Sequence, residues 1–355
     1  MSYPPYTITT TALNLVAAIS EQLATLSAIG ALTAENLSPQ LRRENRIRTI
    51  HASLAIENNT LSLEQVTDIV DGKPVIGPPR DIQEVRGAVA AYEKLDSWKP
   101  HSLKDLLSAH ALLMHDLVDN AGKLRTGGVG VFQGRKVIHM APPANLVHGH
   151  LENLLQWLKS TEEHPLIASC VFHYEFEFIH PFDDGNGRMG RLWQTLILSK
   201  WKPVLAYMPV ETIVRNRQEE YYASLGQADA QGEATKFIEF MLMALHGTIN
   251  SAMAAICDQV DAQVTDQVRR LLDALAQGEK GATELMQALT LRHAPTFRKN
   301  YLNPALEAGV IERTQPDSPR SPTQRYRLTA TGLHIQVGSG REIFGTGGGK
   351  IRSMG

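Results

Sequence analysis

Apolar residues recur at one-turn spacing through most of the chain, which predicts a mainly α-helical protein. Ile167, Ala168, Val171 and Phe172 repeat at three- and four-residue intervals behind Glu162, Glu163 and Pro165. Acidic residues and a proline at the first turn mark a helix start, so a helix is expected over Pro165–Phe178. Leu192, Leu196 and Ile197 predict a second helix over Met189–Lys200, with no Gly or Pro until Pro203. Ile50 and Leu54, with Ser53 and Glu57 beside them at one-turn spacing, predict a third over Arg48–Asn58. A long helix from about Phe237 carries Met253, Ile256, Val260, Val264, Val268 and Leu271 before Gly278 to Gly281 break it.

Two stretches depart from this period. Between Lys123 and Ala141, β-branched Val129, Val131, Val137 and Ile138 are punctuated by Gly127, Gly128, Gly130 and Gly134. That composition predicts a β-hairpin turning near Gln133-Gly134 and closed by Pro142 and Pro143. Past residue 281, short helices over Ala282–Leu291 and Thr296–Glu307 precede strands Val310–Arg313 and Tyr326–Thr329 around a Pro316–Pro322 loop. This is the order of a winged helix. Four segments are therefore expected: an N-terminal helical region (1–110), a core with the hairpin (111–250), a linker helix with a winged-helix-like module (251–335), and a Gly-rich tail without fixed structure (336–355).

Composition narrows the picture. At 355 residues the chain can bury two cores. A formal net charge of −2 argues against a protein that coats nucleic acid along its whole surface. Residues 292–327 carry seven Lys/Arg against three Asp/Glu, a modest excess that leaves DNA possible for this module but favours a docking or dimerisation role. The two cysteines, Cys170 and Cys257, lie in apolar helical surroundings, so no disulfide framework is expected. With no signal-like N-terminus and no bilayer-length apolar run, a cytoplasmic protein without membrane contact is expected.

The chemistry concentrates in one dodecapeptide, residues 180–191, His-Pro-Phe-Asp-Asp-Gly-Asn-Gly-Arg-Met-Gly-Arg. Gly185 and Gly187 allow left-handed backbone that turns several N–H groups toward one anion, and a helix N-terminus follows. Arg188 and Arg191, three apart, can share one helix face and grip further phosphate oxygens. Asp-Gly and Asn-Gly are also hairpin-turn signals, but the helical flanks favour a phosphate loop. His180 and Asp184, four apart, could also pair on a transition metal, yet no third ligand stands at metal spacing. His173 reads as a packing residue, and Asp183 as a solvated carboxylate.

This string resembles the active-site motif of Fic-domain proteins, His-x-Phe-x-Asp/Glu-Gly-Asn-Gly-Arg-x-x-Arg, with every fixed position matched. The resemblance implies a Fic fold and transfer of AMP from ATP to a Ser, Thr or Tyr hydroxyl of a target protein. It makes His180 the general base, Asp184 the Mg²⁺ ligand, Phe182 a buried anchor, and the Gly185, Asn186 and Gly187 backbone the anion hole, assisted by the Asn186 side chain. Arg188 and Arg191 would hold the β- and γ-phosphates. Members that phosphorylate tend to carry lysine where Gly187 stands, so the glycine favours adenylylation. The hairpin would be the flap that docks the target along a strand edge. Ser53-Leu54-Ala55-Ile56-Glu57-Asn58 further resembles the family's inhibitory pattern, Ser/Thr-x-x-x-Glu-Gly/Asn, in which the glutamate takes the second arginine, here Arg191, and fills the γ-phosphate space. Self-modification and a homo-oligomer are compatible with this resemblance. Two other functions stay open: removal of AMP from a modified protein by the same site, and a nucleotide-sensing DNA-binding regulator.

Overall fold

A computed structural model describes residues 6–28, 39–133, 136–316, 318 and 321–339. The hairpin tip at 134–135 and the tail from residue 340 fall outside the described residues, as do the side chains of Met253, Ile256, Cys257 and Val260. The chain divides into two compact units, Met1–Leu23 with Leu32–Asn250, and Ala24–Ala31 with Ser251–Gly355.

The first unit holds α2 (Pro39–Ile56), α3 (Leu63–Val70), α4 (Pro79–Glu93), α5 (Leu103–Leu113), α6 (Ala144–Ser160), α7 (Pro165–Ile179), α8 (Asn186–Trp201), α9 (Val210–Asn216) and α10 (Gln218–Gln231), with most of α1 (Thr10–Ala28) and the first part of α11 (Thr235–Gln263), whose ends Ala24–Ala28 and Ser251–Gln263 fall in the second unit. Local chemistry sets several starts. The Ser62 hydroxyl accepts from the Gln65 N–H, Ser102 does the same for Asp105, and prolines open α4 and α7. Ile50 and Leu54 of α2, Leu106 and Leu113 of α5, Phe172 and Phe176 of α7, and Leu192 and Trp193 of α8 share one buried core. The expected hairpin is present as β1 (Gly130–Gln133) and β2 (Lys136–Met140), antiparallel with Gly130 opposite Met140. Pairing stops at Val129–Ala141, so Lys123–Gly128 are not strand. No helix among the described residues is long and apolar enough to cross a membrane.

Several helix boundaries differ from the sequence reading, and the long helix expected from about Phe237 through Leu271 ends at Gln263, where Thr265 caps a new helix from Asp266 by accepting from the Val268 N–H. The helix expected over Arg48–Asn58 spans Pro39–Ile56, and Glu57 and Asn58 form its terminating turn, with Asn58 at φ 68°. Asn tolerates that left-handed conformation, which puts Glu57 at a helix end rather than on its flank. The helix expected from Met189 begins at Asn186, because Gly185 at φ 86° can reverse the chain directly into it.

The second unit has the winged-helix order. Helices α12 (Asp266–Leu275) and α13 (Ala282–Ala288) precede α14 (Ala294–Phe297), a π turn over Arg298–Leu302, and α15 (Asn303–Glu307). Strands β3 (Lys280–Gly281), β4 (Ile311–Arg313) and β5 (Arg325–Leu328) form one antiparallel sheet ordered β3-β5-β4. Strand β3 falls where only a helix break is legible in the sequence. The helix expected over Ala282–Leu291 stops at Ala288, and Thr290 turns left-handed at φ 57°. Residues 336–339, expected in the tail, close α16 (Ala330–Ser339).

His173 is a core histidine, as expected: Nδ1 meets Gln194 Oε1 at 2.7 Å and Nε2 meets the Tyr221 hydroxyl at 3.1 Å. Burial pushes its pKa down to about 3, so it stays neutral. Glu211 is also buried, accepting from the Tyr92 and Thr195 hydroxyls at 3.3 Å each. Burial raises its pKa from 4.5 to about 7, partly offset by Arg191. Since the unfolded carboxyl ionises near 4.5, the native state is increasingly penalised as pH rises from there through 7. Glu211→Gln is therefore expected to match wild type in urea unfolding near pH 5 and to exceed it by about 1–3 kcal/mol at pH 8. A constant difference across that range would show that Glu211 does not titrate there.

Candidate active site

His180 ends α7 in a left-handed conformation, φ 49°, while its N–H still bonds the Phe176 carbonyl at 3.0 Å. This turn swings the imidazole off the helix axis. Nδ1 lies 3.3 Å from the Glu177 carbonyl oxygen, which can only accept, so Nδ1 carries the proton and the Nε2 lone pair is the basic site. The side chain lines a cavity of about 170 Å³ with Glu57, Glu177, Gly187, Arg191 and Tyr222.

Two residues that the sequence reading missed hold the loop beneath His180. Arg125, 2% exposed, donates through Nε to the His180 carbonyl at 2.7 Å, and through its terminal nitrogens to the carbonyls of Gly127 (2.8 Å), Pro142 (2.6 Å) and Ile179 (3.3 Å). It ties the loop to both ends of the hairpin. His110 stacks on Phe182, ring centroids 3.6 Å apart and 5° from parallel, which makes Phe182 the expected buried anchor. The Gly122 N–H donates to His110 Nδ1 at 2.8 Å, which fixes the proton on Nε2, and this donates to the Asp184 carbonyl at 3.0 Å. Burial lowers the His110 pKa to about 4, so this neutral tautomer persists at neutral pH. The only sequence signal for His110 is its place on the buried face of α5; for Arg125, none.

The loop is braced by its own hydrogen bonds. The Asn186 side chain, expected to help bind an anion, is buried and spans the loop instead, accepting from Phe182 N at 2.9 Å and donating to Phe182 O at 2.8 Å. What remains for an anion are the first-turn N–H groups of α8, at Asn186, Gly187 and Arg188, which have no intrahelical acceptor. Asp183 is exposed, as expected, and accepts from Asn120.

Asp184 takes three donors: Gly185 N at 2.6 Å and Arg188 at 2.9 Å on Oδ1, and Arg80 at 2.9 Å on Oδ2. Arg188 reaches further to Glu84 Oε1 at 3.1 Å, and its Nε is buried without a hydrogen-bond partner. Arg191 faces elsewhere. Its Nε donates to Ser53 Oγ at 3.0 Å, and one terminal nitrogen donates to Ser53 O at 3.0 Å and to Glu57 Oε1 at 2.7 Å. The two arginines, expected to act together, thus face separate partners. A Cβ on Gly187 would stand 2.5 Å from Glu57 Oε1, so glycine is what lets the carboxylate descend onto the loop.

A protein of Desulfovibrio desulfuricans G20 described as a Fic family protein has a crystal structure that is 61% identical, covering 93% of this chain and 99% of that one with a TM-score of 0.69. The chain belongs to the Fic family. Residues 100–198 match the Fic/DOC family model, and residues 266–329 match the C-terminal domain of Filamentation induced by cAMP protein Fic-like. Fic-1 of Caenorhabditis elegans, residues 134–508, is 25% identical in structure-based comparison, covering 69% of this chain and 73% of that one, with a TM-score of 0.56. The Caenorhabditis briggsae protein named protein adenylyltransferase fic-1 is 33% identical over 61% of this chain. The Fic chain described here spans 43% of that relative's length.

Arg125→Leu would strip four carbonyls of their shared donor, so a lower unfolding temperature is expected, by about 1–3 kcal/mol of stability for a carbonyl left dry. Arg125→Lys restores charge but not the fork and should recover only part. Equal melting of the Leu variant and wild type would refute the tie. At the end of α2, Asn58→Val is expected to cost about 1–2 kcal/mol through its φ of 68°, whereas Asn58→Gly stays near wild type; thermal unfolding reads both.

Proposed function

We propose that the protein is an adenylyltransferase that moves AMP from ATP to a hydroxyl of a target protein, and that Glu57 holds it in check. The observation that carries this reading is the 2.7 Å pair between Glu57 and Arg191 directly over Gly187. The curated relatives named protein adenylyltransferase support the reaction class.

In this reaction the target hydroxyl gives its proton to His180 Nε2 as its oxygen bonds the α-phosphorus, and the bond from that phosphorus to the pyrophosphate oxygen breaks. The α8 N-terminus receives the negative charge of the phosphates. Arg188, with its buried unpartnered Nε, has a donor in reserve for a phosphate oxygen. Asp184 offers one half-exposed carboxylate, a donor set suited to a Mg²⁺ that completes its shell with nucleotide phosphates. Such an ion would neutralise the leaving pyrophosphate. Arg80 and Arg188, which hold the Asp184 carboxylate, would then pair with phosphate instead. The hairpin of β1 and β2 presents the strand edge along which a target segment would pair.

Glu57 opposes this chemistry by occupancy and by charge. One guanidinium fork cannot hold the carboxylate and a γ-phosphate together, and two anions cannot share the space over Gly187. A lysine at 187 would have to displace the same carboxylate. Because Glu57 and His180 line one cavity, the carboxylate could instead orient a water for removal of AMP, the second reading.

Labelled ATP with cell lysate tests both. His180→Ala is expected to lower transfer by about a hundredfold or more while ATP binding persists. Glu57→Gly should raise transfer by about tenfold or more, chiefly in turnover, and adding Arg191→Ala should bring it back down. A Glu57→Gly protein no faster than wild type on lysate or on itself would remove the inhibitory role. Loss of label from modified target that requires Glu57 would favour the second reading.

A further inference from the structure

The helix segment 294–307 of the second unit buries Phe297, Tyr301, Leu302 and Ala305 in that unit's core. Its exposed polar side chains are Thr296, Arg298, Lys299, Asn300, Asn303 and, at the C-terminal end, Glu307. All but Glu307 can donate a hydrogen bond, and none is a large apolar group. The single exposed large hydrophobic residue among the described residues of this unit is Leu333, on α16. A helix that docks on protein shows apolar anchors at one-turn spacing, and this face has none.

Charge separates this face from the rest of its unit. Arg325 and Arg327 on β5 are neutralised by Glu284 at 2.9 Å and Glu312 at 2.6 Å. Among the described residues no ion pair engages Arg292, Arg298, Lys299 or Arg313, and no carboxylate occurs between residues 292 and 306. The π turn at Arg298–Leu302 interrupts regular α geometry in the middle of this face, a feature that recurs at functional sites. Arg313 stands at the end of β4, where the connection to β5 begins.

We propose that the second unit binds duplex DNA, with the segment 294–307 in the major groove. Arg298 and Lys299 contact phosphates, and Asn300 and Asn303 face base edges, where an Asn amide can pair with adenine N6 and N7. Arg313 reaches the flanking backbone from the start of the wing. The inference is independent of the AMP-transfer reading, and the modest net excess of positive charge is no obstacle, because Arg325 and Arg327 are neutralised whereas Arg292, Arg298, Lys299 and Arg313 have no ion-pair partner among the described residues.

The test uses the full chain and a short fluorescein-labelled DNA duplex of mixed sequence, read by anisotropy over a salt series. Wild type is expected to bind with a Kd of about 10⁻⁶ to 10⁻⁴ M at physiological salt, tightening as salt falls. Arg298→Ala with Lys299→Ala should weaken binding about tenfold or more and reduce the slope of log K against log salt by about 2. Asn300→Ala should keep binding to mixed duplex and flatten the preference found by selecting bound sequences. Both variants sit on the surface and should unfold at the wild-type temperature. No binding by wild type at low salt overturns the proposal. So does binding that the double variant leaves intact, or a self-association that the double variant abolishes in sedimentation without any DNA binding.

Discussion

A buried guanidinium governs the geometry of the site. Arg191 is 3% exposed, and a charge so far from water must be hydrogen-bonded or the helix that carries it is destabilised. All of its short contacts come from the end of α2: the Ser53 hydroxyl, the Ser53 carbonyl and the Glu57 carboxylate. These contacts tie the end of α2 to α8 beside the apolar core that Ile50 and Leu54 share with Leu192 and Trp193. Burial works against the charged form and Glu57 works for it, with the balance in favour of the charge. Glu211, another carboxyl near Arg191, is driven toward its neutral form by burial, and Glu177 adds a weaker attraction, so Glu57 is the principal counter-ion. Removing a buried ion's partner costs about 3–5 kcal/mol unless another anion takes its place. In the proposed reaction that anion is the substrate, so substrate and inhibitory residue compete for one debt of solvation.

The loop from His180 to Arg188 obeys the same rule with different means. Its backbone carbonyls are satisfied by Arg125 and His110, and its one buried amide side chain, Asn186, is satisfied by the backbone of Phe182. Because His110 is neutral and fixed in one tautomer, it orients Asp184 without adding charge beside Arg188 and Arg80. The loop's charged side chains Asp184 and Arg188 are paired with each other, and Arg188 also with Glu84 of α4.

Much of this was legible in the chain. The helices α7 and α8 follow from apolar spacing and a proline start, and the hairpin follows from β-branched residues between glycines. The twelve-residue motif identifies His180 and the glycine loop because backbone freedom, helix start and basic residues stand within a few turns of one another. The weaker hexapeptide at Ser53 gained its meaning from that motif. What stayed hidden were contacts between residues far apart in sequence. His110 carries only a helix-face signal, and Arg125 stands 55 residues from the carbonyl it holds.

The sequence by itself determined which residues can act: the period of apolar positions set the helices, and side-chain chemistry set the candidate base, carboxylate and arginines, since both are properties of short windows. Only the tertiary structure decided what each was doing. Spacing put Arg188 and Arg191 on one face, yet partners 104 and 138 residues away draw their guanidiniums to Glu84 and Ser53. The Asn186 side chain, which the family resemblance has assisting an anion, bonds both backbone groups of Phe182. Pairing of a buried polar group depends on which distant residue packs nearest, and that distance is absent from any local pattern.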